Sequence, residues 1–215
     1  MHVLVAGSHG QIGQNVTRLL AESDDHTVRG MVRDETQVSD IEALGAEPVV
    51  ADLTETVDHA IEGCDAVVFA AGSSGEDVWG VDRDGAIALM DAAESRQADR
   101  FVMLSSINAD APEQGPEPLA EYLRAKGEAD DYLRETGLTH TIVRPGALTN
   151  DPGTGLIEVG TDLGATGTIP RADVAQTLVA TLSKASTFER SFDLLDGDEP
   201  IDEALAELVD NEDGT

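Results

Sequence analysis

The chain is 215 residues long and carries 43 Asp and Glu against 13 Lys and Arg, a formal net charge of −30. That length can close a real core, and 40% hydrophobic residues are too many for a disordered acidic polymer. A field this negative repels phosphate backbones and anionic lipid, so neither nucleic acid nor a membrane surface is expected as a partner. Along the chain, β-branched runs alternate with helical periodicity. The order is strand His2–Ala6, helix Gln11–Ala21, strand Thr27–Val32, helix Ser39–Leu44, strand Glu47–Val50, helix Val57–Ile61 and strand Ala66–Phe69. It continues with helix Val78–Ala93, strand Phe101–Leu104, helix Pro118–Glu135 and strand Thr139–Val143. Such alternation predicts an α/β fold, a doubly wound parallel sheet with helices on both faces. Runs such as Val3-Leu4-Val5-Ala6 suit strands buried on both sides.

After Gly146 the rhythm changes. Asn150–Gly167 reads as a loop or hairpin lid, Arg171–Leu182 as a helix, Ser191–Leu195 as a strand and Ile201–Val209 as a last short helix, with residues 211–215 expected to fray. No linker divides the chain. The expectation is one domain over residues 1–215, of which 150–215 form the lid loop and a small C-terminal elaboration on the substrate side. Met1-His2 leads straight into a strand and no apolar run approaches a membrane span, so a cytoplasmic setting is expected. The single cysteine, Cys64, precludes an internal disulfide and reads as a small buried residue. The five histidines show no ligand spacing, and no metal is expected.

The strongest local signal is Gly7-Ser8-His9-Gly10-Gln11-Ile12-Gly13, between the first strand and the first helix. Glycines there permit a tight turn and close backbone approach to a pyrophosphate, while the helix offers free N–H groups and a partial positive charge. Arg33 lies 20 residues after Gly13, at the end of the second strand, where an acid selects NAD and an arginine suits the 2′-phosphate of NADP. NADP is therefore favoured over NAD, the alternative being an Arg33 paired to Asp34. Asp52-Leu53 after the third strand can accept from an adenine amino group. The small residues Ala70-Ala71-Gly72 after the fourth leave room for the cofactor.

The second signal is Tyr122 and Lys126, four residues apart and so on one helical face. Lys126 is one of only two lysines, beside Lys184. An ammonium next to a phenol is expected to lower the phenol pKa toward general acid/base use. Ser105-Ser106 ends the fifth strand, where a hydroxyl could orient a substrate carbonyl. Alternation sends the two to opposite faces without saying which meets substrate. Arg144-Pro145-Gly146-Ala147 could shape a nicotinamide pocket wall. Asp130-Asp131 and the acidic tail read as solvated faces.

Together these motifs resemble the short-chain dehydrogenase/reductase superfamily, specifically its atypical, epimerase-like branch of short NAD(P)-binding proteins, over nearly the whole chain. Gly7–Gly13 is similar to the GxxGxxG of that branch, Asp52-Leu53 to its adenine-binding Asp, Tyr122–Lys126 to YxxxK, Thr141–Ala147 to TIVRPG and Arg171–Ala175 to the helix after the substrate loop. The resemblance implies a Rossmann fold binding NADP(H), with Tyr122 as acid/base, Lys126 holding a ribose, Ser106 assisting, and Pro145 and Gly146 beside the cofactor. It implies an oxidoreductase or epimerase-like enzyme acting on an unidentified small molecule. Two alternatives remain open, a non-catalytic NADP(H)-binding redox sensor and a flavin-type reductase. One departure stands out, since the helix position usually Asn is here Asp82, which cannot donate a hydrogen bond unless protonated. The charge pattern in turn resembles that of proteins from salt-in halophiles, because at molar salt the Debye length falls to about 3 Å and self-repulsion becomes tolerable.

Overall fold

The computed structural model describes residues 1–164 and 166–208. In chain order its elements are β1 (His2–Ala6), α1 (Gln11–Ala21), β2 (Thr27–Val32), α2 (Val38–Ala43), β3 (Glu47–Val50), β4 (Ala66–Phe69), α3 (Gly85–Arg96), β5 (Arg100–Leu104) and α4 (Ala120–Glu135). There follow β6 (Thr139–Pro145), β7 (Ala147–Thr149), β8 (Leu156–Gly160), β9 (Thr168–Pro170), α5 (Arg171–Thr181), β10 (Arg190–Asp196), β11 (Glu199–Pro200) and α6 (Ile201–Glu207). The main sheet runs β11-β8-β10-β6-β5-β4-β1-β2-β3. Strands β3 through β10 in that order are parallel, and β8 adds antiparallel at the far side. The order 3-2-1-4-5-6 is that of a Rossmann-like doubly wound sheet. It reverses between β1 and β4, which opens a crevice at their carboxyl ends.

Alternation along β1 builds both layers at once. Val3 and Val5 pack with Val16 and Leu20 of α1 and with Val174 and Leu178 of α5. Leu4 and Ala6 face the other way, with Phe69, Phe101 and Met103, onto Leu89 and Met90 of α3 and Leu133 of α4. Phe69 and Phe101 stack with centroids 6.4 Å apart. Truncating either to Ala costs about 3–5 kcal/mol at such positions.

Three expectations are corrected. Val57–Ile61 is not a helix but a run of turns, closed by Ala60 N–H to Val57 O and Cys64 N–H to Ile61 O. So short a segment does not repay helix nucleation, yet Val57, Ala60 and Ile61 still reach the core. Val78–Ala93 is not one α-helix, because Val78–Asp84 winds as a wide π-type turn, started by Asp77 accepting from Gly80 N–H, before α3 begins at Gly85. Asn150–Gly167 is not only loop, since β8 lies within it and takes Asp193 to Asp196 of β10 as antiparallel partners. β7 and β9 pair separately beside the carboxyl ends. Cys64 is buried, and burial raises its thiol pKa. No helix among the described residues is long and apolar enough to cross a membrane. Val209 and residues 211–215 lie outside the described residues.

Candidate active site

The β1–α1 turn is shaped by two close backbone approaches. Gly7 has φ +80°, and a Cβ there would lie 2.5 Å from the Ala71 Cα; at Gly13 it would lie 2.0 Å from the Gly7 carbonyl oxygen. Only glycine fits at either place. The turn is thereby pressed onto the Ala70–Gly72 end of β4, with Ala70 N–H donating to Ala6 O. Gly10 and Gln11 are exposed, the N-cap residue Gly10 offers no side-chain cap, and the first turn of α1 holds no acid. The positive end of α1 is thus left free for an anion, the feature a pyrophosphate needs.

The side chains around this turn divide into ties and free groups. Ser8 is buried and its hydroxyl donates to Met31 O at 2.8 Å, so its side chain holds β2 and leaves only its backbone to a ligand. Ile12 points into the core in the same way. His9 links the turn to α2, with Nε2 3.1 Å from Asp40 Oδ2 and Nδ1 3.3 Å from Gln37 Nε2. Arg33 is exposed and forms no ion pair among the described residues. Asp34 instead accepts from the N–H and hydroxyl of Thr36. Asp52 Oδ1 accepts from Thr54 N–H and hydroxyl, and those bonds with the Arg33 charge hold its pKa below the usual carboxylate range. Its other oxygen is left for a donor such as an adenine amine. Leu53 sits against Gly85 of α3.

At the carboxyl ends of β4, β5 and β6 a second group converges. Tyr122, Lys126 and Asp130 follow one another at four-residue steps along one face of α4. Lys126 is 2% exposed and donates to Leu104 O at 2.9 Å, with Asp82 Oδ1 3.8 Å away and the Phe69 ring beneath. Burial lowers its pKa, while Asp82 and Asp130 oppose that shift. Asp82 is itself buried. Its Oδ2 accepts from the N–H and hydroxyl of Ser73, and its Oδ1, facing Lys126, accepts no hydrogen bond.

The expected lowering of the Tyr122 pKa is reversed. Burial raises it well above the ordinary phenol range, the Asp82 and Asp130 charges add to that, and only the Ser106 hydroxyl bond works against them. The Lys126 ammonium faces Leu104 O and Asp82 rather than the phenol oxygen, so two carboxylates outweigh one cation. The serine ambiguity is resolved in space. Ser105 is buried and donates to Asp130 Oδ2 at 2.8 Å, whereas the half-buried Ser106, donating to Ile107 O at 3.4 Å, lies on the Tyr122 side.

Asp130 is not on a solvated face. It is fully buried, accepts from Ser105 and from Nε and Nη2 of Arg144, and leaves Oδ1 without a partner. Burial raises its pKa, against Arg144 and Ser105. Only Asp131 is exposed. Arg144 likewise does not form an open pocket wall: it is 4% exposed and clamped between Asp130 and Asp110. Pro145 O accepts from Ile107 N–H. Gly146 lies where a Cβ would meet the Leu195 side chain at 2.5 Å, so the chain can turn closely there. Sequence reasoning passed over Asp130 although its place one helical step beyond Lys126 was visible. It also passed over Asp173, whose buried carboxylate accepts from Thr154 and Gly155 N–H and pins the segment before β8.

A Gly-rich turn opening a free helix N-terminus, beside a Ser–Tyr–Lys group at the crevice of a 3-2-1-4-5-6 sheet, defines a dinucleotide-binding Rossmann protein. The chain belongs to the NAD(P)H-binding family, which residues 7–185 match. Over 215 aligned residues it is 44% identical to the uncharacterized sugar epimerase YhfK of Bacillus subtilis, covering 97% of this chain and all of that one. Among solved structures it superposes at a TM-score of 0.90 on a Bacillus halodurans protein provisionally titled an NAD-dependent epimerase/dehydratase, at 38% identity over 97% and 98% of the two chains. The oxidoreductase ylbE from Lactococcus lactis gives a TM-score of 0.89 at 31% identity over the full length of both. The resemblance to the epimerase-like branch thus holds, and the chain is NAD(P)-binding and of oxidoreductase or epimerase-like kinship.

Proposed function

We propose that the protein is an NADP(H)-dependent oxidoreductase in which Tyr122 exchanges a proton with the oxygen of a small carbonyl or alcohol substrate. The observation that carries this reading is the half-buried Tyr122 beside Ser106, one helical turn from the buried Lys126, at the carboxyl end of the sheet where the glycine turn also lies. The residues present fit a dinucleotide. The free positive end of α1 suits the pyrophosphate, and Asp52 offers an oxygen to the adenine. Arg33 offers an uncommitted cation, and the orphaned Asp82 Oδ1 beside Lys126 offers an acceptor and a donor to a ribose diol. A nicotinamide bound there supplies or accepts the hydride at the substrate carbon.

Everything else falls to the chain. Because burial and two carboxylates keep Tyr122 protonated, it works from the neutral phenol. Its proton passes to the substrate oxygen as that oxygen becomes an alcohol, and returns in the reverse direction. Ser106 donates to the same oxygen or to the phenol, fixing the angle of transfer. Lys126, held by Leu104 O and faced by Asp82, keeps a positive charge near the phenolate that forms in the transition state. Tyr122→Phe is expected to lower turnover at least about 100-fold while leaving NADPH affinity within about twofold, read by fluorescence titration. Full activity in that variant would remove Tyr122 from the chemistry and favour hydride delivery to a flavin, which needs no side-chain acid. Stoichiometric NADPH binding without turnover of any carbonyl or flavin would favour the sensor. The acidic surface we read as suited to molar salt, and circular dichroism showing a fully folded chain in dilute buffer would sink that part.

A further inference from the structure

We infer that the substrate of this site is an uncharged carbonyl compound and not a nucleotide-diphosphate sugar or another phosphoester. This rests on the oxidoreductase reading above and concerns what lies beyond the cofactor cradle. The substrate side is built from the β5–α4 connection and from the chain between β6 and α5. Residues 105–119 carry Asp110, Glu113 and Glu117, and residues 145–170 carry Asp151, Glu158 and Asp162. Neither segment contains a lysine or an arginine.

Of the cations that come nearest, Arg144 is spent on carboxylates, and Arg171 is held by neutral acceptors at the edge of this side. Arg144 is buried at the floor between Asp130 and Asp110. Its register partner on β10 is a third carboxylate, Asp193, so three acids surround one guanidinium. Burial raises the Asp193 pKa against the Leu163 N–H bond and the Arg144 charge, with the Asp110 and Asp162 charges adding to the rise. Asp193 Oδ2 accepts from Leu163 N–H, which ties the 161–164 segment over the same negative floor. Arg171, at the start of α5, donates to Leu148 O and Asn150 Oδ1.

A general depletion of basic residues does not account for this. The chain retains an uncommitted Arg33 and a buried Lys126 on the cofactor side, where the dinucleotide brings its own negative charges. The two halves of the crevice therefore differ in how their charges are used: the cofactor half adds a free helix N-terminus to its cations, and the substrate half commits Arg144 to carboxylates. One is built for a polyanion, and the other places carboxylates where a diphosphate would have to lie. A doubly charged pyrophosphate would be desolvated there among carboxylates with Arg171 at most as a counter-ion, whereas a neutral aldehyde, ketone or quinone meets the Ser106 and Tyr122 hydroxyls.

The test uses the full-length protein with NADPH and a matched pair of aromatic aldehydes, neutral 4-nitrobenzaldehyde and anionic 4-carboxybenzaldehyde, at about 0.5 M and 3 M KCl. The neutral aldehyde is expected to show a kcat/KM at least about tenfold higher at the lower salt, the gap narrowing as salt screens the repulsion. Asp110→Asn, at an exposed side chain, is expected to narrow it without salt by freeing part of the Arg144 charge. In parallel, calorimetry of the NADP-loaded protein with UDP-glucose is expected to give no saturable binding up to millimolar concentration. Micromolar UDP-glucose binding overturns the proposal, as does an anionic aldehyde used as well as the neutral one, or a preference unmoved by both salt and Asp110→Asn. If neither aldehyde turns over, the calorimetry decides. Failure to bind NADPH at all is a different result, because it sinks the oxidoreductase reading itself.

Discussion

Two buried arginines on neighbouring strands are satisfied in opposite ways. Arg100 begins β5 at the amino edge of the sheet; Arg144 lies near the end of β6 at the carboxyl edge. Arg100 donates to Thr139 O and Thr181 O at 2.8 Å, to Leu182 O at 3.3 Å and to the Thr141 hydroxyl, and its guanidinium lies 4.5 Å over the Phe188 ring. Its partners are neutral carbonyls at the negative end of α5, and burial lowers its pKa to about 10. Arg144 takes carboxylates instead. Burial again works against the charge, but Asp130 and Asp110 outweigh it and the pKa is raised. At the amino edge one cation ties strand to helix and uses its donors on carbonyls. At the carboxyl edge cations and acids crowd together, with Asp82 Oδ1 and Asp130 Oδ1 accepting no hydrogen bond. The amino-edge arginine ties strand to helix, and the carboxyl-edge one gathers carboxylates whose spare oxygens lie in the crevice region, a pattern expected of functional sites.

The sharpest way to break this contrast is at Arg100. Arg100→Met leaves three carbonyls without their donor, and is expected to lower unfolding stability by about 3 kcal/mol in denaturant titration while NADPH affinity changes less than about twofold. A tenfold loss of affinity with unchanged stability would show that the two edges are not separate.

On the ligand side, Arg33→Ser is expected to raise the NADPH Kd about tenfold and leave NADH unaffected, with no change in stability. Equal losses for the two dinucleotides would move Arg33 away from the 2′-phosphate.

The smallest effect is expected at Asp82. Ser73 N–H and hydroxyl both donate to one of its oxygens, so in Asp82→Asn the amide oxygen must serve Ser73 and turn its NH2 toward the Lys126 ammonium, or flip and oppose the Ser73 N–H. Either way a donor faces a donor. Losing that carboxylate also lowers the Lys126 pKa further, since Asp82 favours the charged lysine. Binding that needs the ammonium is complete below the Lys126 pKa and lost as pH rises through it. The alkaline limb of NADPH affinity should therefore move to lower pH, with the thermal midpoint lowered by the facing donors. A limb that stays in place would leave Asp82 a purely structural partner of Ser73.

The strands and most helices were legible because each is a short-range pattern. Val3-Leu4-Val5-Ala6 suits a strand buried on both faces, and Gly7, Gly10 and Gly13 punctuate the turn that follows. Tyr122 and Lys126 were legible for the same reason, since four residues on a helix is a local distance. Asp130 was misread because a carboxylate beside Asp131 looks solvated until the strand bearing Arg144 is laid against it. β8 was missed because its pairing with β10 spans a long stretch of chain, and the turns at 57–61 kept helical spacing of buried residues without a helix.

The sequence by itself determined the layers, the order of the crevice-lining turns and the groups proposed to meet a dinucleotide, set by hydrophobic period and by glycines at close backbone approaches. The tertiary structure alone decided the charge state of those groups. Whether Tyr122 is pushed toward phenolate or phenol depends on burial and on which charges lie nearby in a medium of low dielectric. Asp82 arrives there from the turn before α3, and the burial of Asp130, two helical turns along α4, is settled only when the β6 arginine packs against it. Coulomb energy follows distance in space, which spacing along the chain does not fix.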